Sequence, residues 1–310
     1  MDNSISPPNK WRSAVPSLSL RFVRFLDHPL AFYAILAAGI LLRLLALVVL
    51  QAYPAPSDAA SYHAEAVRLA EGGLAFYWPP GLPLYLAFFY TLFGSDAIVG
   101  QAAMLLLYGG FSAAVWLLGQ ELAGRRAANL ATLLFAVYPA FIFYSLRTLT
   151  QAPAALCLIV IVYLLLRSLR GAGWPVWLGL GLFTGVLVLT RTSNLPFLGL
   201  IPLYLVIRRR WRAALVVGLS GLALTLSWSV VAYDFTGRFI LVNHANARNF
   251  FVGNNPYTDS YRTWWFGSHQ TVEEGAPEGY VALEDNVDLR ERGCYPKKRR
   301  RLPGPHIHYF

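Results

Sequence analysis

Long stretches of this chain have no polar side at all, and short clusters of charge separate them. A helix that is apolar all round, rather than along one stripe, is one surrounded by hydrocarbon. About 20 such residues cross the ~30 Å core of a bilayer. Seven runs follow that pattern: residues 30–51, 97–119, 127–146, 153–169, 174–190, 195–207 and 213–234, several of them short or interrupted by glycine. An eighth, "PPGLPLYLAFFYTLFG" at 79–94, is apolar but short and begins with three prolines in five positions. Its length and prolines suit either a short span or a helix lying at the interface.

Charge decides between these. Cytoplasmic loops carry an excess of lysine and arginine. If 79–94 does not cross, the basic leader shares one side with Arg125 and Arg126, with Arg167 and Arg170, and with Arg208, Arg209, Arg210 and Arg212. If it crosses, the "RRRWR" and "GRR" clusters land opposite the leader. The sequence therefore predicts an all-α membrane protein of about seven transmembrane helices, with the first loop and the C-terminal segment outside the cytoplasm.

The first outer loop, 52–96, is long enough to carry a task. Within it "SDAASYHAEAVRLAEGG" reads as one helix. Ser57 or Asp58 can cap its start, and Gly72 with Gly73 can end it. Tyr62, Ala66, Leu69 and Ala70 form an apolar stripe, which leaves Glu65, Arg68 and Glu71 on a solvated face and His63 at the surface. The segment "WPPGLPLYLAFFYTLFG" then forms a second interfacial or re-entrant helix, with Tyr77, Trp78 and Tyr85 at headgroup depth.

Composition agrees with the pattern: of 310 residues, 56% are hydrophobic and 14% charged, which no ordinary soluble domain shows. A net charge of +10 would suggest nucleic acid in a soluble chain, but the arginines sit between apolar runs, where membrane orientation accounts for them, and nucleic acid is set aside as a partner. Cys157 and Cys294 lie in settings too different to pair and lack metal-ligand spacing. Residues 1–29 lack a small-residue cleavage site and read as a cytoplasmic leader.

Taken in order, the loop Asp58 with Tyr62 four residues on, the "GG" stop, "PPGLPLY" ending in "LFG", the "GRR" turn, "GVLVLTRTSNLPFL" and "ARNFFVGNNPYTDSY" at 247–261 resemble the polyprenyl-phosphate-sugar-dependent glycosyltransferases of the GT-C superfamily. This group includes protein mannosyltransferases, the aminoarabinose transferase of lipid A and lipopolysaccharide-core sugar transferases. The resemblance covers about residues 25–265. It implies a GT-C-type bundle with interfacial helices in the first outer loop, a multi-pass location in the bacterial inner membrane, and a polyprenyl-phosphate sugar donor entering from the lipids. The acceptor is a glycan, a lipid or a protein.

The same resemblance puts Asp58 at the catalytic position, as general base on the acceptor hydroxyl or as a metal holder. Read from the residue alone, Asp58 is equally a helix cap. The donor phosphate needs cations, and Arg191 in "LTRTSN" comes first, followed by Arg147 in "YSLRTLTQAP", both at outer ends of spans. Snorkelling to the interface explains either arginine as well. Tyr62 is placed to contact substrate or to pack at the interface. Asn254, Asn255 and Trp264 suit sugar or acceptor contact, or a turn followed by an aromatic belt.

The chain departs from the family at Gln151, where relatives often carry an acid, so a two-acid metal site is not expected and the cofactor stays unassigned. A first-loop lysine of some relatives is also missing near "YWPPG". The expected organisation is a leader at 1–29, a membrane module at 30–235, an outer aromatic and polar segment at 236–272, and a loosely ordered polar tail at 273–310. A non-catalytic relative that binds lipid-linked sugar, and a transporter or flippase, are the competing functions. The latter is disfavoured because the spans contain Arg43 but no acid short of Asp234 at the very end of the last one, and the chain has no internal repeat.

Overall fold

A computed structural model describes residues 17–50, 57–74 and 76–243. Helices α1 (Ser17–Asp27), α2 (Ala31–Leu50), α3 (Ser57–Ala70), α4 (Gly81–Phe93), α5 (Ala97–Val137), α6 (Pro139–Tyr144), α7 (Gln151–Leu169), α8 (Trp174–Thr190), α9 (Phe197–Ile207) and α10 (Trp211–Thr236) follow one another, with a 3-10 turn at Thr192–Asn194. No strand occurs among the described residues. In the bundle α2 packs on α5, α5 on α7, α7 on α8, α8 on α10 and α10 on α9, while α3 pairs with α4, which rests on α5 and α8.

Four of these helices, α2, α5, α7 and α10, are long and apolar enough to cross a bilayer, and α4, α8 and α9 are shorter apolar helices. Large apolar side chains cover the outside: Val48 is 74% exposed, Leu106 63% and Leu215 62%. Such a surface is at home in lipid, where the helical backbone satisfies its own hydrogen bonds. The protein is an integral membrane protein.

The structure divides two expected spans differently. The run at 127–146 is the end of the 41-residue α5 followed by the short α6, with breaks at Gly124 (φ 80°, ψ −179°) and at the extended Tyr138 before Pro139. Only glycine adopts the Gly124 conformation readily, so the "GRR" turn doubles the chain back there. The run at 195–207 becomes helical at Phe197, and its 11 residues extend about 16 Å, roughly half the hydrocarbon thickness.

The basic clusters meet at one end of the bundle. Arg126 holds Asp27 with two hydrogen bonds of 2.9 and 2.7 Å, Glu121 pairs with Arg167 and Arg170, and Arg210 donates to the Leu169 carbonyl. At the other end, α4 keeps both its termini. A Cβ on Gly81 would lie 2.6 Å from Thr190 Oγ1 at the end of α8, and Tyr90 reaches His63 of α3 and Gly100 near the start of α5.

Candidate functional site

The site is built on α3. Its helical pattern is ordinary, but its surroundings are not those of a loop helix in water. Tyr62 and Ala66 join Leu82, Leu86 and Tyr90 of α4 and Ala103 and Met104 of α5 in one apolar cluster. Gly72 (φ 81°) then turns the chain back over the helix, and the Gly73 N–H closes it on the Arg68 carbonyl. That return lays Trp78 beside Tyr62, with ring centroids 5.2 Å apart.

Two expectations fail here for the same reason. Glu65 was placed on the solvated face but is only 8% exposed, and its Oε1 accepts a hydrogen bond from the Trp78 backbone N–H at 3.2 Å. Burial pushes its carboxyl up to about 7, against the opposing pull of the Trp78 hydrogen bond and Arg68. His63, expected at the surface, is half-buried with Nδ1 2.7 Å from the Tyr90 hydroxyl, and burial lowers its imidazole below the usual range. In each case α4 and the Trp78 segment cover a face that helical periodicity alone assigns to water.

Where α3 meets the outer ends of α7 and α8, a cleft of about 240 Å³ opens. Asp58 and Tyr62 line it from α3, Trp78 and Pro79 from the returning loop, Leu149, Thr150 and Gln151 from the start of α7, Thr190, Arg191, Thr192 and Ser193 from the turn after α8, and Asn243 from beyond α10. Asp58 is exposed, in the first turn of α3. Arg191 stands at the C-terminus of α8, its backbone carbonyl held by Asn194, and its guanidinium makes no hydrogen bond or ion pair with the other described residues. Tyr62 hydrogen-bonds Thr150, and burial pushes its phenol up to about 12, so it is neutral across the physiological range.

The segments are tied across the cleft. Thr148 Oγ1 donates to the Ala59 carbonyl, Thr192 Oγ1 donates to Asn243 Oδ1, and Asn243 Nδ2 donates to the Tyr77 carbonyl. Asn243 thus links the loop before α4 to the turn carrying Arg191. Nothing in the local sequence marks it, because its partners are 51 and 166 residues away.

Of the predicted site residues, the structure brings Asp58, Tyr62 and Arg191 into this one cleft. Arg147 is not in the lining: it is 6% exposed, with its guanidinium carbon 5.5 Å from the Phe143 ring centroid. Asn254, Asn255 and Trp264 lie outside the described residues. Gln151 stands in the lining with Asp58, and among the described residues no three His, Cys, Asp or Glu side chains gather to hold a metal. With a neutral amide in place of a second carboxylate, the donor set does not fit a two-carboxylate metal centre.

The arrangement offers one exposed carboxylate, one available guanidinium and a lining of hydroxyls, amides and an indole, the groups that hold an anion and a polyol together. Comparison with curated proteins gives no match. The dolichyl-phosphate-mannose-protein mannosyltransferase family matches residues 78–233, half of the chain, taking in Trp78, Gln151 and Arg191 and leaving Asp58 and Tyr62 to join them through the cleft. The chain belongs to that family, and is a membrane glycosyltransferase of the GT-C type.

Proposed function

We propose that the protein transfers a sugar from a polyprenyl-phosphate donor to an acceptor hydroxyl on the non-cytoplasmic face of a bacterial inner membrane. The observation that carries this reading is the cleft holding Asp58 and Arg191 together at the end of the bundle opposite the basic clusters. The Asp58 carboxylate takes the proton from the acceptor hydroxyl as its oxygen attacks the anomeric carbon. The bond between that carbon and the phosphate oxygen breaks, and polyprenyl phosphate leaves with its charge held by Arg191. Tyr62, neutral and bonded to Thr150, bounds the sugar space.

In this reading residues 30–235 form the membrane module, and Asn254, Asn255 and Trp264 contribute contacts to the sugar or the acceptor. The acceptor class, whether glycan, lipid or protein, follows from chemistry beyond the cleft.

The test is transfer from a labelled polyprenyl-phosphate sugar by membranes containing the full chain. Asp58→Asn keeps the shape and removes the base, and is expected to lower kcat about 10²- to 10⁴-fold with donor binding retained. Undiminished transfer removes Asp58 from the mechanism. A second reading, a relative that binds the donor without turnover, is favoured by Gln151 standing in the lining with Asp58. Donor binding with no transfer, unchanged by Gln151→Glu, establishes it.

A further inference from the structure

Arg43 lies within α2, a helix otherwise made of apolar residues, and is 0% exposed. A guanidinium inside a membrane bundle is costly and calls for partners. No acid pairs with it among the described residues. Instead its Nε donates to Ser145 Oγ at 2.7 Å, and one terminal nitrogen donates to the carbonyls of Gly39 at 3.1 Å and Ala136 at 3.0 Å. Its plane stacks on Tyr108, 3.5 Å from the ring centroid.

These partners have a common position. Ala136 sits just before the extended Tyr138 and Pro139, so its carbonyl has no helical donor where α5 stops. Ser145 is the C-terminal cap of α6, and its hydroxyl also donates to the Ile142 carbonyl. Arg43 therefore bonds the last turn of α5 and the C-terminal cap of α6, and packs on the earlier half of α5 through Tyr108. From Ser145 the chain runs through buried Leu146 and Arg147 to Thr148, which bonds α3, and to Leu149, Thr150 and Gln151, which line the cleft.

We propose that Arg43 is a positioning residue for the cleft: by fixing the α5–α6 break it sets where the 148–151 segment stands against α3. A guanidinium suits the site, since its flat face stacks on the Tyr108 ring while two separate nitrogens donate at its edge; an ammonium gathers its three donors on one nitrogen and has no such plane. The effect on sugar transfer rests on the function proposed above; the effect on geometry does not.

A test that separates the two uses the full chain in membranes, with Cys157→Ala and Cys294→Ser and a reporter thiol at Gln151→Cys, labelled by a water-soluble maleimide. Arg43→Met is expected to change the labelling rate about 10-fold, the scale of a lost hydrogen bond to a charged group. Ser145→Ala changes it in the same direction by less, Arg43→Lys falls between Met and wild type, and the Arg43→Met, Ser145→Ala pair does less than the two single effects combined, because the two residues share one bond. A purely structural role lowers the melting temperature and leaves the labelling rate below the melt unchanged, which overturns the proposal. Where Arg43→Met fails to accumulate, the Ser145→Ala rate alone decides in the same sense. Wild-type membranes that transfer no sugar count against the functional reading and leave the labelling comparison intact.

Discussion

Burying a carboxyl beneath Trp78 makes folding depend on pH in a predictable direction. Glu65 has a folded-state value raised from the ordinary 4.5 to about 7. Between those values the folded chain holds a proton that the unfolded chain has released. The stabilisation from this group is therefore complete below about 4.5 and is lost as pH rises through 7. Glu65→Gln, which stays neutral, is expected to flatten that dependence and to gain on the order of 3 kcal/mol relative to wild type at pH 8. Thermal melts in detergent at pH 5 and pH 8 check it, and a parallel pH dependence in both proteins contradicts it. Arg191 gives a different signature. Arg191→Ala is expected to weaken donor binding by about 1.5–3 kcal/mol, the scale of a hydrogen bond to a charged group. Arg191→Lys recovers only part of this, because a phosphate held by a planar fork is not held equally by a point charge. Donor KM across the three proteins decides.

At the scale of elements, the contact between α4 and α8 determines the shape of the cleft. Gly81 has no room for a side chain: a Cβ would come within 2.9 Å of the Thr190 Cα and backbone nitrogen as well as meeting its hydroxyl. Gly81→Val pushes α4, and with it Pro79 and Trp78, off the turn that carries Arg191. The expected cost is about 1–3 kcal/mol of stability from overpacking, together with a loss of transfer, read by melting and by donor turnover. The α8–α10 contact follows the same logic within the membrane. Gly181 and Gly221 face each other, each with the other's carbonyl or a neighbouring backbone atom where a Cβ would go, so the two helices pack backbone to backbone.

At the scale of the whole molecule, the two ends of the bundle differ in charge and in chemistry. One end carries Arg126 with Asp27, and Arg167 and Arg170 with Glu121; the other carries the cleft. If the positive-inside asymmetry orients the protein, a cysteine at the exposed Ser193 is labelled from outside intact cells and one at the exposed Arg209 only after the membrane is permeabilised. The reverse pattern puts the cleft in the cytoplasm and removes the proposed sidedness of the reaction.

The sequence by itself determined the class, most of the apolar helices and the charge asymmetry. These rest on local properties: runs of apolar residues, arginine between them, and glycine pairs such as Gly72 and Gly73 at a helix end. It also marked Asp58 and Arg191, through a resemblance carried by short motifs in order. Only the tertiary structure decided which faces of α3 are wet, because Glu65 and His63 are covered by a segment that returns from a turn and not by anything in their own helix. The burial of Arg147 away from the cleft lining is likewise set by packing among helices, whereas the break of α5 at Tyr138 falls before a proline that the sequence already shows. The tie through Asn243 and the bonds of Arg43 to Ser145 and Ala136 join residues from 51 to 166 positions apart. Periodicity reports what a side chain is, whereas long-range burial and hydrogen bonding depend on what the rest of the chain brings against it.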